Sequence, residues 1–243
     1  MTMTTDSPSQ NVLEVTDLSV EYQGEKRTVR AVDRVSFSIA PGEVFGLAGE
    51  SGCGKSTAAN AIMRLLRDPA VITGGSIRFK GRDVLAMSPE ELRRFRWREV
   101  SMVFQSAMNS LNPVMTIGDQ IVDIFTTHER VSKKRALAQA ADLLDLVQID
   151  PGRLKGYPHQ LSGGMRQRVV IAMAVALHPT LLIMDEPTTA LDVVVQQEIM
   201  AQIRDLQREL GFSILFITHD MSLMIELSHR MAVMYGGRFV ESA

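Results

Sequence analysis

A glycine-rich octet, GESGCGKS at Gly49–Ser56, and two acids that end an apolar run, Asp185 and Glu186 in LLIMDEP, carry the chemistry most directly legible in this chain. The octet fits G-x-x-x-x-G-K-[ST] and lies between a strand-like and a helix-like segment, the setting that a phosphate-binding loop requires. Its glycines let the backbone curl until N–H groups face a β-phosphate. Lys55 supplies charge for the β- and γ-phosphates, and the Ser56 hydroxyl can ligate Mg²⁺. Gly49, Glu50, Ser51, Gly52, Cys53, Gly54, Lys55, Ser56 and Thr57 thus form the candidate nucleotide cradle. Asp185 would hold Mg²⁺, mainly through water. Glu186 is placed to accept a proton from the water attacking a γ-phosphate, or to orient that water.

A third segment, LSGGMRQR at Leu161–Arg168, joins a serine and paired glycines to a helix start. Backbone N–H groups, a hydroxyl and a helix N-terminus suit an anion, so Ser162, Gly163 and Gly164 make a second candidate phosphate site. Cys53 has two readings. It is a thiol whose pKa is lowered by the lysine and helix start beside it, so that alkylation blocks nucleotide binding, or it is a small packing residue. His128, His159, His178 and His229 show no ligand spacing, and no zinc site is predicted.

The elements that must position these residues follow from apolar periodicity. Val12–Val20 and Val29–Ile39 alternate and predict an antiparallel pair. Val44–Ala48 reads as a short buried strand leading through the octet into a helix over Gly54 to about Leu66. Gly75–Lys80 and Val100–Gln105 are predicted to form a further strand pair. From Met115 to Leu177 the spacing turns helical, with one stripe at Ile117, Ile121, Ile124 and Phe125 and another at Leu137, Ala140, Leu144 and Val147. Leu181–Met184 is a strand, Ile199, Ile203, Leu206 and Leu210 mark a helix closed by Gly211, and Phe212–Thr218 is a strand. The predicted fold is α/β: a phosphate-loop core with a mostly parallel sheet, an antiparallel β edge and an inserted helical lobe. A single domain over 1–243 is expected, with core 1–105 and 166–243 and the lobe about 106–165.

Composition narrows the partners. With 243 residues, 45% hydrophobic and 22% charged, the chain can bury a full core, and its net charge of -2 gives no overall basic footprint for nucleic acid. The basic run RRFRWR at Arg93–Arg98 is read as a solvated helix face with Leu92 and Phe95 on its core side, and DNA binding is not assigned from it. No apolar run approaches the roughly 20 residues of a bilayer span. The start lacks the pattern of a signal peptide, and one cysteine forms no internal disulfide, so a reducing cytoplasm is the expected address.

On these motifs the chain resembles the nucleotide-binding subunit of an ATP-binding-cassette transporter over nearly its whole length. The resemblance implies ATP and Mg²⁺ as ligands and makes Leu161–Arg168 the signature motif, which binds the γ-phosphate of ATP held by the opposite subunit of a head-to-tail dimer. It also implies that Gln105, closing VSMVFQ, approaches Mg²⁺ and the attacking water. Ala190-Leu191-Asp192 resembles a loop across the dimer interface, and His219 at the end of FSILFITHD resembles a switch residue contacting the γ-phosphate. Tyr22 resembles the aromatic residue that stacks on adenine; the other reading of a tyrosine at a strand end is half-buried packing.

Finer features, AMNSLNPVMTIGDQI at Ala107–Ile121, MRQR after the signature glycines and TTALDVVVQ at Thr188–Gln196, resemble the peptide/nickel uptake branch. That resemblance implies a second, non-identical ATP-binding subunit, two membrane permeases, a solute-binding protein and a position on the cytoplasmic face of the cell membrane. Peptides, nickel or oligosaccharides are the expected solutes. Branch members usually continue well past VESA at Val240–Ala243. Leu111, Pro113 and Val114, after Gln105, are the expected surface for the permeases. The alternative is a soluble ATPase of the same family acting on ribosomes or DNA.

Overall fold

The computed structural model describes residues 11–24, 27–105, 110–188 and 191–243. Strands β1 (Leu13–Gln23) and β2 (Thr28–Ile39) pair antiparallel, with Leu13 opposite Ile39 and Gln23 opposite Thr28. On its other edge β1 pairs with β4 (Ala70–Phe79), and a short β5 (Arg82–Asp83) completes a four-stranded antiparallel sheet in the order β2-β1-β4-β5. The second sheet has six strands in the order β10-β9-β3-β8-β7-β6. They are β3 (Val44–Ala48), β6 (Val100–Val103), β7 (Leu181–Asp185), β8 (Ser213–Thr218), β9 (Arg230–Tyr235) and β10 (Arg238–Ser242). All pairings in it are parallel except that of β9 with β10.

The central strands are buried along their whole length, as expected of parallel strands covered on both faces. Alternation sends their side chains into two cores. Leu182, Met184, Ile214 and Phe216 join helices α3 (Ile117–Glu129), α4 (Lys133–Leu146), α5 (Gly163–Val175) and α6 (Val193–Leu210). Leu181, Ile183, Leu215 and Ile217 face the antiparallel sheet and helix α1 (Lys55–Ile62). Truncating one of these, Ile183→Ala for example, would cost about 2–5 kcal/mol, because rigid neighbours on both sides cannot collapse into the gap. Between β6 and α5 lie α3, α4 and two 3-10 turns at Pro151–Lys155 and Pro158–Gln160.

Four expectations need correction. The segments Gly75–Lys80 and Val100–Gln105 do not pair with each other: β4 joins β1 and β5, whereas β6 joins β7 in the other sheet. Apolar patterning marks both as strands but does not encode which neighbour each takes. The helix after the phosphate loop ends at Ile62, because Arg64 adopts a left-handed conformation (φ 49°). Leu137 is 47% exposed; the buried face of α4 runs instead through Ala136, Ala140, Leu143 and Leu144. Leu111 is buried in the core, so of the expected permease surface only Pro113 and Val114 are exposed.

The basic run is also not one smooth helix face. Helix α2 (Pro89–Arg98) starts with a capping box in which Ser88 accepts from the Glu91 N–H and donates its own N–H to the Glu91 carboxylate. It then kinks at Arg96 and Trp97, the latter at φ 74°. The kink turns Arg96 inward, where it donates to the carbonyls of Met63 and Arg64, and leaves Arg93, Arg94 and Arg98 outward.

Candidate functional site

The phosphate loop leaves β3 at its carboxyl end, the edge where ligands of open α/β sheets bind. Gly49 (φ 149°) and Gly54 (φ 113°) are required by contact as well as by conformation. A Cβ on the first would lie 2.2 Å from the Met234 carbonyl oxygen, and on the second 2.1 Å from that of Ala31. Lys55 opens α1 and is only 4% exposed. Its ammonium donates to the carbonyls of Gly49 (2.7 Å) and Glu50 (2.8 Å), which aims it back over the loop. Cys53 is buried, its sulfur 3.7 Å from Lys55 Nζ. A cleft of about 170 Å³ is lined by Ser51, Gly52, Lys55, Ser56, Gln105 and Glu186, with Gly54 and Thr57.

Strand β7 delivers the acids. Asp185 is 4% exposed, and its Oδ1 has no hydrogen-bond partner. Burial pushes its carboxyl above the ordinary value; the Ser56 hydroxyl bond works against that, the Glu186 charge adds to it, and Lys55 opposes it. A buried, partly unsatisfied carboxylate beside a serine hydroxyl is a hard-oxygen pair that fits Mg²⁺. Among the described residues no three His, Cys, Asp or Glu cluster as a metal cage, so phosphate oxygens and water would supply the remaining coordination.

Glu186 sits in a left-handed conformation (φ 48°), its N–H bonded to the Ile217 carbonyl at 2.9 Å. A non-glycine residue there is strained, and the strain turns its side chain out of the strand's alternation. One carboxylate oxygen accepts from Gln105 Nε2 at 3.0 Å; the other lies 3.3 Å from His219 Nδ1. Three candidates from three separate strand ends therefore meet at one carboxylate. His219 follows β8 and is 57% exposed. With its amide N–H committed to Glu186, Gln105 retains its amide oxygen as a ligand for a cation. Tyr22, at the end of β1, is exposed on the flank of the loop, its hydroxyl 3.4 Å from Thr57 Oγ1. This ring is open to solvent and beside the cradle, as a stacking platform must be.

Ser162, Gly163, Gly164 and Asp192 line a different cleft of about 460 Å³ that shares no residue with the first. Ser162 is the N-cap of α5, its hydroxyl accepting from the Met165 N–H at 3.2 Å, and Asp192 caps α6 through the Val195 N–H at 3.0 Å. A Cβ on Gly164 would lie 2.8 Å from Val195 Cγ1, so glycine there keeps α5 close to α6. Ala190, the first residue of the expected interface loop, lies outside the described residues, as do residues 107–109.

One part of the site is not evident in the sequence. The turn between β9 and β10 closes against the phosphate loop, where the Gly237 N–H donates to the Cys53 carbonyl (3.0 Å) and the Gly237 carbonyl accepts from the Asp33 N–H (2.8 Å). Paired glycines at 236–237 signal a hairpin turn, but nothing local indicates what the turn touches.

Residues 32–189 match the ABC transporter family. The chain is 47% identical, over all of its own length and 73% of the relative's, to a probable peptide ABC transporter ATP-binding protein of Sinorhizobium fredii. It is 46% identical, over 96% of its length and 70% of the relative's, to a dipeptide transport ATP-binding protein of Bacillus subtilis. Among solved structures it resembles a dimeric, post-hydrolysis ATP-binding cassette bound to ADP and Pi, with TM-score 0.84 and 27% identity over 95% of this chain and 97% of that one.

Proposed function

This chain belongs to the ABC transporter family, and from that premise we propose that it is the ATP-hydrolysing subunit of a peptide importer. The observation that carries the catalytic part is the convergence of Gln105 and His219 on Glu186 at the rim of the phosphate-loop cleft. Peptide as the solute is supported by the names of the two relatives. Among the described residues no helix is long and apolar enough to cross a membrane. In this reading the chain docks at the cytoplasmic face of the membrane beneath two permeases, beside a second ATP-binding subunit, with a solute-binding protein delivering cargo.

Lys55 and the loop N–H groups neutralise the β- and γ-phosphates, and Tyr22 stacks on the base. Mg²⁺, held by Ser56, Asp185 and Gln105, would neutralise charge building on the phosphate oxygens. Glu186 receives the proton of the attacking water, while Gln105 and His219 fix the rotamer of its carboxylate. Ser162, Gly163 and Gly164 of one subunit cover the nucleotide of the other, because on a single chain they line a separate cleft. A dimeric relative in a post-hydrolysis state supports that arrangement. Closure then excludes water, and hydrolysis reopens the pair, with the stretch 106–165 as the lobe that passes the motion to the permeases.

The deciding experiment is uptake of a labelled dipeptide by cells lacking this chain, complemented with wild type or Lys55→Ala. Wild type should restore ATP-dependent uptake and Lys55→Ala should not. Uptake that is equal without the chain would defeat the peptide assignment.

A further inference from the structure

Away from both nucleotide clefts, the kinked α2 and the C-terminal end of α3 enclose a pocket of about 310 Å³ lined by Arg93, Arg94, Arg98, His128, Arg130 and Glu90. Its chemistry is unusual for a chain with a net charge of -2. Four guanidinium groups face one carboxylate, and that carboxylate is already taken, since Glu90 pairs with Arg94 at 2.5 Å. Among the described residues Arg93, Arg98 and Arg130 have no carboxylate partner, and what sets this face apart is that the three lie together around one pocket.

The backbone is shaped to bring these arginines together. The kink at Trp97 separates Arg96, which is tied to the core, from Arg98, which reaches across and donates to the His128 carbonyl at the end of α3. That bond occupies one of the carbonyls whose partial negative charge would otherwise repel an anion. Arg130 caps the same helix at φ 57°, a left-handed conformation that costs a non-glycine residue energy and sets its side chain beside the pocket. The Trp97 and His128 rings pack at 5.8 Å between centroids and fix the wall. Burial, then the charges of Arg98 and Arg93, lower the His128 pKa against the opposing pull of Asp123, in keeping with an uncompensated positive field.

We infer that this pocket is a binding site for a phosphate-bearing anion. All its cations are arginines, whose planar forks donate in pairs to phosphate oxygens. A single carboxylate offers two oxygens and one charge, which Arg94 and Glu90 already show to be met by one guanidinium. Three further guanidinium groups without a carboxylate partner, one of them also bonded to the His128 carbonyl, call for the several oxygens and higher charge of a phosphate. The source is either a soluble phosphate compound or the headgroup of an anionic lipid, for which clustered basic residues at a membrane surface are suited.

The test uses the full chain carrying Lys55→Ala, so that the phosphate loop does not compete. Inorganic pyrophosphate is titrated calorimetrically, and co-sedimentation is measured with phosphatidylcholine vesicles with and without phosphatidylglycerol. Each measurement is repeated with Arg93→Glu plus Arg130→Glu, and with Arg93→Gln plus Arg94→Gln as a milder pair. Binding weakened about 10- to 100-fold by these substitutions supports the site. Pyrophosphate binding identifies a soluble source, and binding only to phosphatidylglycerol vesicles identifies the headgroup. The inference is overturned if neither probe binds or if the substitutions change nothing. It is also overturned if a glutamate-rich peptide occupies the pocket more tightly than either probe, which would make it a protein contact. In the otherwise wild-type chain the arginine substitutions should leave basal ATP hydrolysis unchanged.

Discussion

The Gln105 side-chain amide donates to Glu186 Oε2 across 3.0 Å, joining the chain after β6 to the chain after β7. Because the two strands are parallel neighbours, any sliding between their ends alters where the Glu186 carboxylate points. Replacing Glu186 with Gln keeps the shape and removes the base. ATP binding should persist while steady-state phosphate release falls by about 10²- to 10⁴-fold. Undiminished release would remove Glu186 from the proton-accepting role.

Separate clefts for the phosphate loop and for Ser162 make a mixing experiment informative. Lys55→Ala and Ser162→Arg should each be inactive alone. Mixed together they should regain hydrolysis, because one of the two sites in a mixed dimer then has an intact loop facing an intact signature. No recovery, despite dimer formation seen by light scattering, would argue against a site shared between copies of this chain. Ser162→Arg also loses the α5 cap, at a cost of about 1 kcal/mol, so its thermal stability must be measured alongside.

Tyr22 touches Thr57 through its hydroxyl, yet stacking needs only its ring. Tyr22→Phe should therefore bind a fluorescent ATP analogue nearly as wild type. Tyr22→Ala should lose about 1–3 kcal/mol, the usual worth of a base–aromatic stack. Equal losses in both variants would point to the hydroxyl and a packing role.

Asp33 offers a pH test. A hydrogen bond from Arg238 comes first among the influences that hold its carboxyl below the ordinary 3.8, with the charges of Arg238, Arg30 and Arg34 also lowering it against desolvation. A depressed folded-state pKa stabilises above the unfolded value and loses that contribution as pH falls through the folded one. Asp33→Asn should therefore lower the melting temperature near neutrality, with the difference beginning to shrink only as pH falls below about 4 and disappearing below the still lower folded-state value. A difference that stays constant down to acid pH would assign the effect to packing.

Much of this site is legible in the residues because its parts are local. A phosphate loop is one turn with a fixed order of glycines and a lysine, and Asp185-Glu186 at the end of an apolar run needs only the strand's direction to be placed. What escapes is set by partners far along the chain. The different sheets of β4 and β6, the burial of Leu111 and the turn at Gly237 that backs Cys53 all depend on distant segments. Leu137 escapes for another reason, since a stripe at Ala136, Ala140, Leu143 and Leu144 fits the helical period as well as one through Leu137. The kink at Trp97 has no local sequence signal, and the carbonyls that receive Arg96, those of Met63 and Arg64, lie far back along the chain.

Strand β3, which launches the phosphate loop, has β8 on one side and β9 on the other. Both neighbours come from the last stretch of the chain, residues 213–235. During translation the apolar segment Val44–Ala48 thus leaves the ribosome long before either strand that will pair with it. The nucleotide site cannot form before residues 213–235 have been made, and until then the nascent chain carries an unpaired, wholly apolar strand that a holding chaperone is suited to shield.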